Sequence, residues 1–334
     1  MKRAPLLLWL AACAAGGPDD LPPVDGPDFE PLPLDDVLRL NHLQGKGTHN
    51  SYHVRPATLA HPSHDYTHAP LYEQLSELDV RQLELDLHWH ETDGLQVFHL
   101  PGVDEETTCL AFADCLGELA RFSDDHPGHL PVLVWLEPKH TDLDFLVPEL
   151  GDLDLHWAEV EAAILEVIGR ERVFAPDDLR GELPTVREAV EARGWPQIGA
   201  VRGRFLFSVL DDGESRAAYL GTAAALGGKL LFVDSVGTDE PSAALFKDMD
   251  AARGAELGLL GFLTTDNVGG ASDLPEDNRA RAEAQLAAGV HYLATDLPGP
   301  VEGRDDHLDL GGAARCNLVT APPACDASVL EPVY

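Results

Sequence analysis

Eight short apolar runs, most of them stopping abruptly at a polar residue, constrain this 334-residue chain more than any other feature. They read as strands over Leu43–Thr48, Arg81–His88, Leu95–His99, Val132–Glu137, Arg204–Leu210, Leu230–Asp234, Leu259–Thr264 and His291–Asp296. Between several of them, residues 71–78, 110–122, 157–168 and 278–288 carry the periodicity of amphipathic helices. Strands alternating with helices predict parallel βαβ units. Eight such strands in this length predict a single-domain (β/α)8 TIM barrel, with a doubly wound sheet as the alternative. A barrel of this kind does its chemistry at the C-terminal ends of its strands. The chain carries no GxGxxG or P-loop motif.

The polar residues fall where such a barrel would use them. Alternation along Arg81–His88 puts Glu84, Asp86 and His88 on one face and Leu83, Leu85 and Leu87 on the other. Two carboxylates turned into a barrel are costly unless paired or bound to metal. The wholly apolar Val132–Leu136 stops at Glu137-Pro138-Lys139, and the last strand stops at Thr295-Asp296. The first strand opens into His49-Asn50-Ser51, and the third stops at His99. A turn whose side chains only bond the backbone is the competing reading of His49–Ser51. Asn50, Glu84, Asp86 and Glu137 form an all-oxygen set with three negative charges, which suits a hard cation. Ca2+ accepts the irregular geometry of such a set more readily than Mg2+ does. His49 and His99, from different strands, are then placed to act as base and acid about a phosphorus centre, with the metal offsetting the phosphoryl charge.

Composition narrows the partners. With 58 acidic against 23 basic residues the formal net charge is −35, which repels nucleic acid and anionic headgroups. Residues 1–12 combine Met1-Lys2-Arg3 with an apolar Leu6–Leu10, the pattern of an export signal, and end in Leu10-Ala11-Ala12 before Cys13. That ending resembles a bacterial lipoprotein box, so cleavage before Cys13 and lipidation of its sulfur are expected. The mature protein would be held at the cell envelope, in the periplasm or at the outer membrane. Residues 13–38, rich in Pro, Gly and Asp, read as a disordered tether, and residues 39–334 as the barrel. Local disulfides Cys109–Cys115 and Cys316–Cys325 are expected in an exported chain. A monomer is expected. His53, His61, His64 and His68 share a loop without helical metal spacing and read as a loop without metal, or as a lip over the site; His88 reads as a core histidine.

Four segments, GTHNSYH at 47–53, VRQLELDLHW at 80–89, VFHLP at 97–101 and VLVWLEPKH at 132–140, resemble the catalytic barrel of phosphatidylinositol-specific phospholipase C, in its calcium-dependent bacterial branch. RGRFLFSVLDD at 202–212, ATDLP at 294–298 and the Cys-rich end at 314–325 extend the resemblance over roughly residues 40–330. The resemblance implies that His49 acts on the inositol 2-hydroxyl and that His99 protonates the departing diacylglycerol oxygen. It implies that Asn50, Glu84, Asp86 and Glu137 hold Ca2+, that Lys139 contacts phosphate or an inositol hydroxyl, and that Asp296 orients His49. The products would be diacylglycerol and a cyclic inositol phosphate. The chain departs from the family near the seventh strand, where Leu263-Thr264-Thr265-Asp266 replaces an Arg-Thr-Arg-like run and leaves the headgroup open. A glycerophosphodiester phosphodiesterase on the same barrel shares the Glu-x-Asp strand but usually opens with His-Arg-Gly. A non-catalytic surface lipoprotein is the alternative from another class, and it has no need of two retained histidines.

Overall fold

The computed structural model describes residues 29–140 and 143–332. The signal segment and Cys13 lie outside them. Eleven strands form one sheet: β1 Leu43–Thr48, β2 Val80–His90, β3 Gly94–Val97, β4 Val132–Pro138, β5 Leu150–Gly151, β6 Phe205–Val209, β7 Phe232–Val233, β8 Leu245–Lys247, β9 Leu263–Gly269, β10 Tyr292–Thr295 and β11 Ala314–Cys316. The helices are α1 Leu71–Ser76, α2 Phe112–Asp125, α3 Trp157–Val167, α4 Pro176–Arg180, α5 Val186–Arg193, α6 Glu214–Leu220, α7 Ala251–Leu259 and α8 Pro275–Ala288.

Eight strands pair in parallel in the order β7-β6-β4-β2-β1-β10-β9-β8. A parallel bridge between Asp234 and Leu245 links the two ends of that order, so the sheet is a nearly closed TIM barrel. The expected eight is reached with a different membership. The run expected as the third barrel strand is β3, which lies antiparallel to β2 as a hairpin. Only Glu91-Thr92-Asp93 separates the two, and a parallel crossover needs about a dozen residues or more. Gly94 takes the positive φ of 75° that such a turn requires. The missing barrel strand is the three-residue β8. The run expected over Leu259–Thr264 begins later, because α7 extends to Leu259 and the chain turns at Gly261 with φ of 93°. Its strand, β9, continues to Gly269.

Packing explains the pattern of β1. Gly45 and Gly47 face the interior, where a Cβ on Gly47 would lie 2.6 Å from Gln82 Oε1 and one on Gly45 would lie 3.0 Å from the Tyr292 ring. Gln44 and Thr48 face outward and bond α8 and α1, through the Leu286 carbonyl at 3.0 Å and Gln74 Oε1 at 2.8 Å. Leu83, Leu85 and Leu87 are fully buried in the principal core. At the opposite end of the barrel from the candidate site, Leu38, Leu43, Leu130, Ile198 and Leu330 form a second apolar cluster. Leu38 is fully buried, and the Asp35 carboxylate accepts from Arg202 Nε at 2.8 Å. These residues of the segment read as a tether therefore belong to the barrel. Both expected disulfides, Cys109–Cys115 and Cys316–Cys325, are present. Among the described residues no helix is long and apolar enough to cross a membrane.

Candidate active site

The loop that leaves β1 is clipped to β2 before any chemistry is considered. Ser51 N–H donates to the Glu84 carbonyl at 2.9 Å, and Glu84 N–H donates back to Ser51 Oγ at 2.8 Å. Between them Asn50 adopts φ of 43°, a left-handed conformation that Asn tolerates better than most residues. His68 Nε2 lies 2.9 Å from the His49 carbonyl oxygen and steadies the same loop. Burial pulls the His68 imidazole down to about 4, so that ring is neutral and donates.

His49 and Asp296, 247 residues apart, meet because β1 and β10 are neighbours in register, with Thr48 opposite Thr295. Asp296 Oδ1 is 2.9 Å from His49 Nδ1, and its other oxygen accepts from Ala271 N–H at 2.8 Å. Burial lowers the His49 pKa, but the Glu84 charge and the Asp296 hydrogen bond outweigh it and raise it to about 9.

Glu84, Asp86 and Glu137 converge so that one oxygen from each lies within 4.8 Å of the others. The register makes this so, since Asp86 sits opposite Glu137 across β2 and β4. Two lysines stand among them. Lys247 Nζ donates to Glu84 Oε2 at 2.7 Å, and Lys139 Nζ donates to Glu137 Oε1 at 2.6 Å while lying 2.9 Å from Asp86 Oδ2. Burial disfavours both ammoniums, yet the carboxylates raise their pKa values above the ordinary lysine range. Burial pushes Glu84 up, but Lys247 and His49 together hold it below its ordinary value. Burial, then the Asp86 charge, pushes Glu137 up to about 7, and burial likewise raises Asp86. Three carboxylates against two ammoniums leave one formal negative charge buried here. Asn50 Oδ1 and Asp86 Oδ1 are buried without a hydrogen bond, and Asp86 Oδ2 has only the Lys139 ammonium; in a native interior such acceptors call for a further partner. The donors left over are all hard oxygens, so the residues fit a Ca2+ ion.

His99 lies on the loop after the β3 hairpin rather than at the end of a barrel strand. It nevertheless lines a cavity of about 220 Å3 together with His49, Asn50 and Asp296. Its Nδ1 is 2.8 Å from Oδ2 of Asp104, a fully buried carboxylate. Burial raises Asp104, but hydrogen bonds from His53 and His99 hold it well below the usual carboxylate range. An adjoining cavity of about 430 Å3 shares His49 with the first and adds Lys247, Asp211, Asp212, Asp234 and Asp248. Sequence reasoning missed Asp104, Lys247 and Arg281, whose side chain lines the first cavity. Asp104 follows His99 by five residues in a Gly-containing turn, a usable signal; Lys247 had none, because its strand is too short to read. His53, His64 and His68 are buried, so the segment read as a lip is packed down. His88 is a core histidine stacked on Phe98, as expected.

Fold and mouth together define a barrel enzyme that cleaves phosphoric diesters. The family model for Ca2+-dependent phosphoinositide phospholipase C matches residues 38–92 and 88–317. The chain belongs to that family, and its cofactor is Ca2+. A Ca2+-dependent phosphatidylinositol-specific phospholipase C from Streptomyces antibioticus superposes with a TM-score of 0.56 at 21% identity, covering 78% of this chain and 96% of that one. A calcium-dependent phosphoinositol-specific phospholipase C from a Pseudomonas species gives a TM-score of 0.58 at 16% identity, with 85% and 97% covered. At these identities the likeness is one of fold. A sequence comparison with curated proteins finds no match.

Proposed function

We propose that this phosphoinositide phospholipase cleaves phosphatidylinositol-type lipid to diacylglycerol and a cyclic inositol phosphate by histidine general acid–base catalysis. The observation that carries the reading is two separate imidazole–carboxylate pairs, His49–Asp296 and His99–Asp104, whose imidazoles line one cavity beside the carboxylate cluster. In His49, Nδ1–H donates to Asp296, which leaves the Nε2 lone pair to take the proton of the inositol 2-hydroxyl. That oxygen bonds to phosphorus as the bond from phosphorus to the glycerol oxygen breaks. His99, held through Nδ1 by Asp104, gives its Nε2 proton to the departing glycerol oxygen. Asn50, Glu84, Asp86 and Glu137 would hold Ca2+, which when bound offsets charge developing on the phosphoryl oxygens. Lys139 and Lys247 keep the buried carboxylates in place and add positive charge beside the phosphate.

Exposed Phe145, Leu146 and Leu155 lie on the connection that follows β4, at the same end of the barrel, and supply an apolar edge for a lipid surface. A lipidated Cys13 would keep the exported enzyme, acting as a monomer, at the envelope despite its surface charge. Replacing Cys13 by Ser should abolish acyl labelling of the expressed protein and release it from the membrane fraction. The catalytic test is phosphorus NMR of phosphatidylinositol micelles with Ca2+, with chelator, and with His49→Ala. A Ca2+-dependent cyclic phosphodiester signal that disappears in the variant is expected. Turnover of glycerophosphoinositol alone, with none of the intact lipid, would reject the assignment.

A further inference from the structure

Three histidines meet on one buried carboxylate. Asp104 Oδ2 lies 3.0 Å from His53 Nε2, 3.2 Å from His64 Nδ1 and 2.8 Å from His99 Nδ1. The ring centroids of these histidines are 5.1–6.4 Å apart. Asp104 and His53 are fully buried and His64 is 8% exposed. His53 Nε2 is also 3.1 Å from Oδ1, so three imidazole nitrogens crowd the two oxygens of a single carboxylate. His53 Nδ1 faces the Tyr66 carbonyl at 3.2 Å, which fixes the ring with Nε2 toward Asp104. His64 Nδ1 is buried and has no hydrogen bond in spite of its approach to the carboxylate.

We propose that His53, His64, His99 and Asp104 form a second metal site, separate from the carboxylate cluster, for a borderline divalent transition ion such as Zn2+. Ligands about 2.0–2.1 Å from a tetrahedral ion lie roughly 3.3 Å from one another, close to the spacing seen around Asp104. One ligand atom from each of His53, His99 and Asp104 falls within 4.8 Å of the others, and His64 stands next to that set, its Nδ1 3.2 Å from Asp104. The Tyr66 carbonyl on the far nitrogen of His53 is the kind of outer partner that fixes the tautomer of a metal-binding histidine. Three imidazoles and one carboxylate prefer Zn2+, Co2+ or Cu2+ to Ca2+, which takes oxygen donors. His61 is excluded, because its Nδ1 is engaged by Ser63 at 2.8 Å in an exposed turn. The ion has a way in, since His64 and His99 line the active-site cavity.

The site has a consequence that rests on the proposed role of His99. A metal on Nδ1 takes the place of the proton there, so the ring cannot become the imidazolium that hands its Nε2 proton to the leaving group. Micromolar Zn2+ would then switch off a Ca2+-loaded enzyme reversibly.

Co2+ is the direct probe, added to the chelator-treated full chain after Ca2+ has been restored to saturation. A single equivalent with the intense visible absorption of tetrahedral Co2+ is expected, displaced by Zn2+. His64→Gln should weaken that binding at least tenfold and raise the Zn2+ concentration needed for inhibition by the same factor. His140→Ala, at the exposed cluster with Asp152 and Asp154, should leave the absorption alone. No tetrahedral band, or a band unchanged in His64→Gln, or one lost instead in His140→Ala, overturns the site. A band without inhibition overturns the switch. Binding is read independently of turnover, so a chain that binds Co2+ but never cleaves lipid contradicts the catalytic reading and leaves the metal site standing.

Discussion

Asp296→Asn isolates the orienting role of one carboxylate without removing an atom from the site's outline. In the wild type, one oxygen of Asp296 faces His49 Nδ1 at 2.9 Å and the other accepts from Ala271 N–H at 2.8 Å. An asparagine keeps only one acceptor oxygen, and the Ala271 N–H, being a fixed donor, claims it. The amide NH2 then turns toward His49 Nδ1 and donates, which forces the imidazole proton onto Nε2. The base loses its lone pair on the side where the inositol hydroxyl must bind. Loss of a charge-assisted hydrogen bond alone removes about 1.5–3 kcal/mol, or roughly 10- to 150-fold in rate, before the wrong tautomer is counted. The effect should fall on kcat, because Asp296 acts through His49, with KM changed less than about threefold. The pH profile gives a second reading. His49 must be neutral to act, so rate climbs as pH rises through its pKa; with two of the influences that raise it removed, the climb moves to lower pH. Initial rates on phosphatidylinositol micelles at saturating Ca2+ measure all three quantities. A kcat within about threefold of wild type, or a loss confined to KM, would refute the orienting role.

Three other outcomes follow from contacts elsewhere. Glu84→Gln leaves Lys247, which is almost fully buried, without its carboxylate and should lower stability by about 3–5 kcal/mol. Calorimetry should also show that Ca2+ at a hundredfold excess over its Kd, expected to stabilise wild type by about 2.7 kcal/mol, no longer raises the Tm of the variant. Phe145→Ser, at a side chain 72% exposed, should reduce turnover of vesicle lipid several-fold and leave a short-chain soluble substrate unaffected. Buried His129 is pulled down to about 4, so the unfolded chain binds its proton first as pH falls, and stability drops between about 6.5 and 4. Urea unfolding should show that wild type loses about 1.3 kcal/mol more than His129→Gln between pH 7.5 and 5.5.

Much of the site was legible because strand alternation is a strict rule of two. Glu84 and Asp86 had to share a face, and an apolar strand ending at Glu137 had to bring that acid to a rim; the register then sets Asp86 opposite Glu137. Hydrophobicity does not record strand direction, which is why β3 passed for a barrel strand, although three residues between it and β2 leave room only for a hairpin. Asp104 and Lys247 were missed for different reasons. The first sits in a turn, where acids are common for local reasons. The second reaches Glu84 across 163 residues from a strand of three, and no periodicity can be read from so short a run.

The departure at Thr264-Thr265-Asp266 changes meaning once the strand is placed. Read as the end of a strand, it removed cations from the rim where a phosphorylated headgroup would bind. In the structure β9 runs on to Gly269, so these residues lie in mid-strand. Thr264 bonds His291, and Asp266 accepts from Gln285 on α8, outside the barrel. What β9 offers to the mouth is Asn267 and Gly269. The positive charge there comes from Lys139, Lys247 and Arg281, and the first two are already committed to Asp86, Glu137 and Glu84. The adjoining cavity carries Asp211, Asp212, Asp234 and Asp248 besides. A headgroup with extra phosphates would meet carboxylates in that cavity, whereas the hydroxyls of an unphosphorylated ring could donate to them. If the proposed reaction holds, the chain's own acid balance would favour the neutral inositol ring, through the cavity walls rather than through the residues that first drew attention.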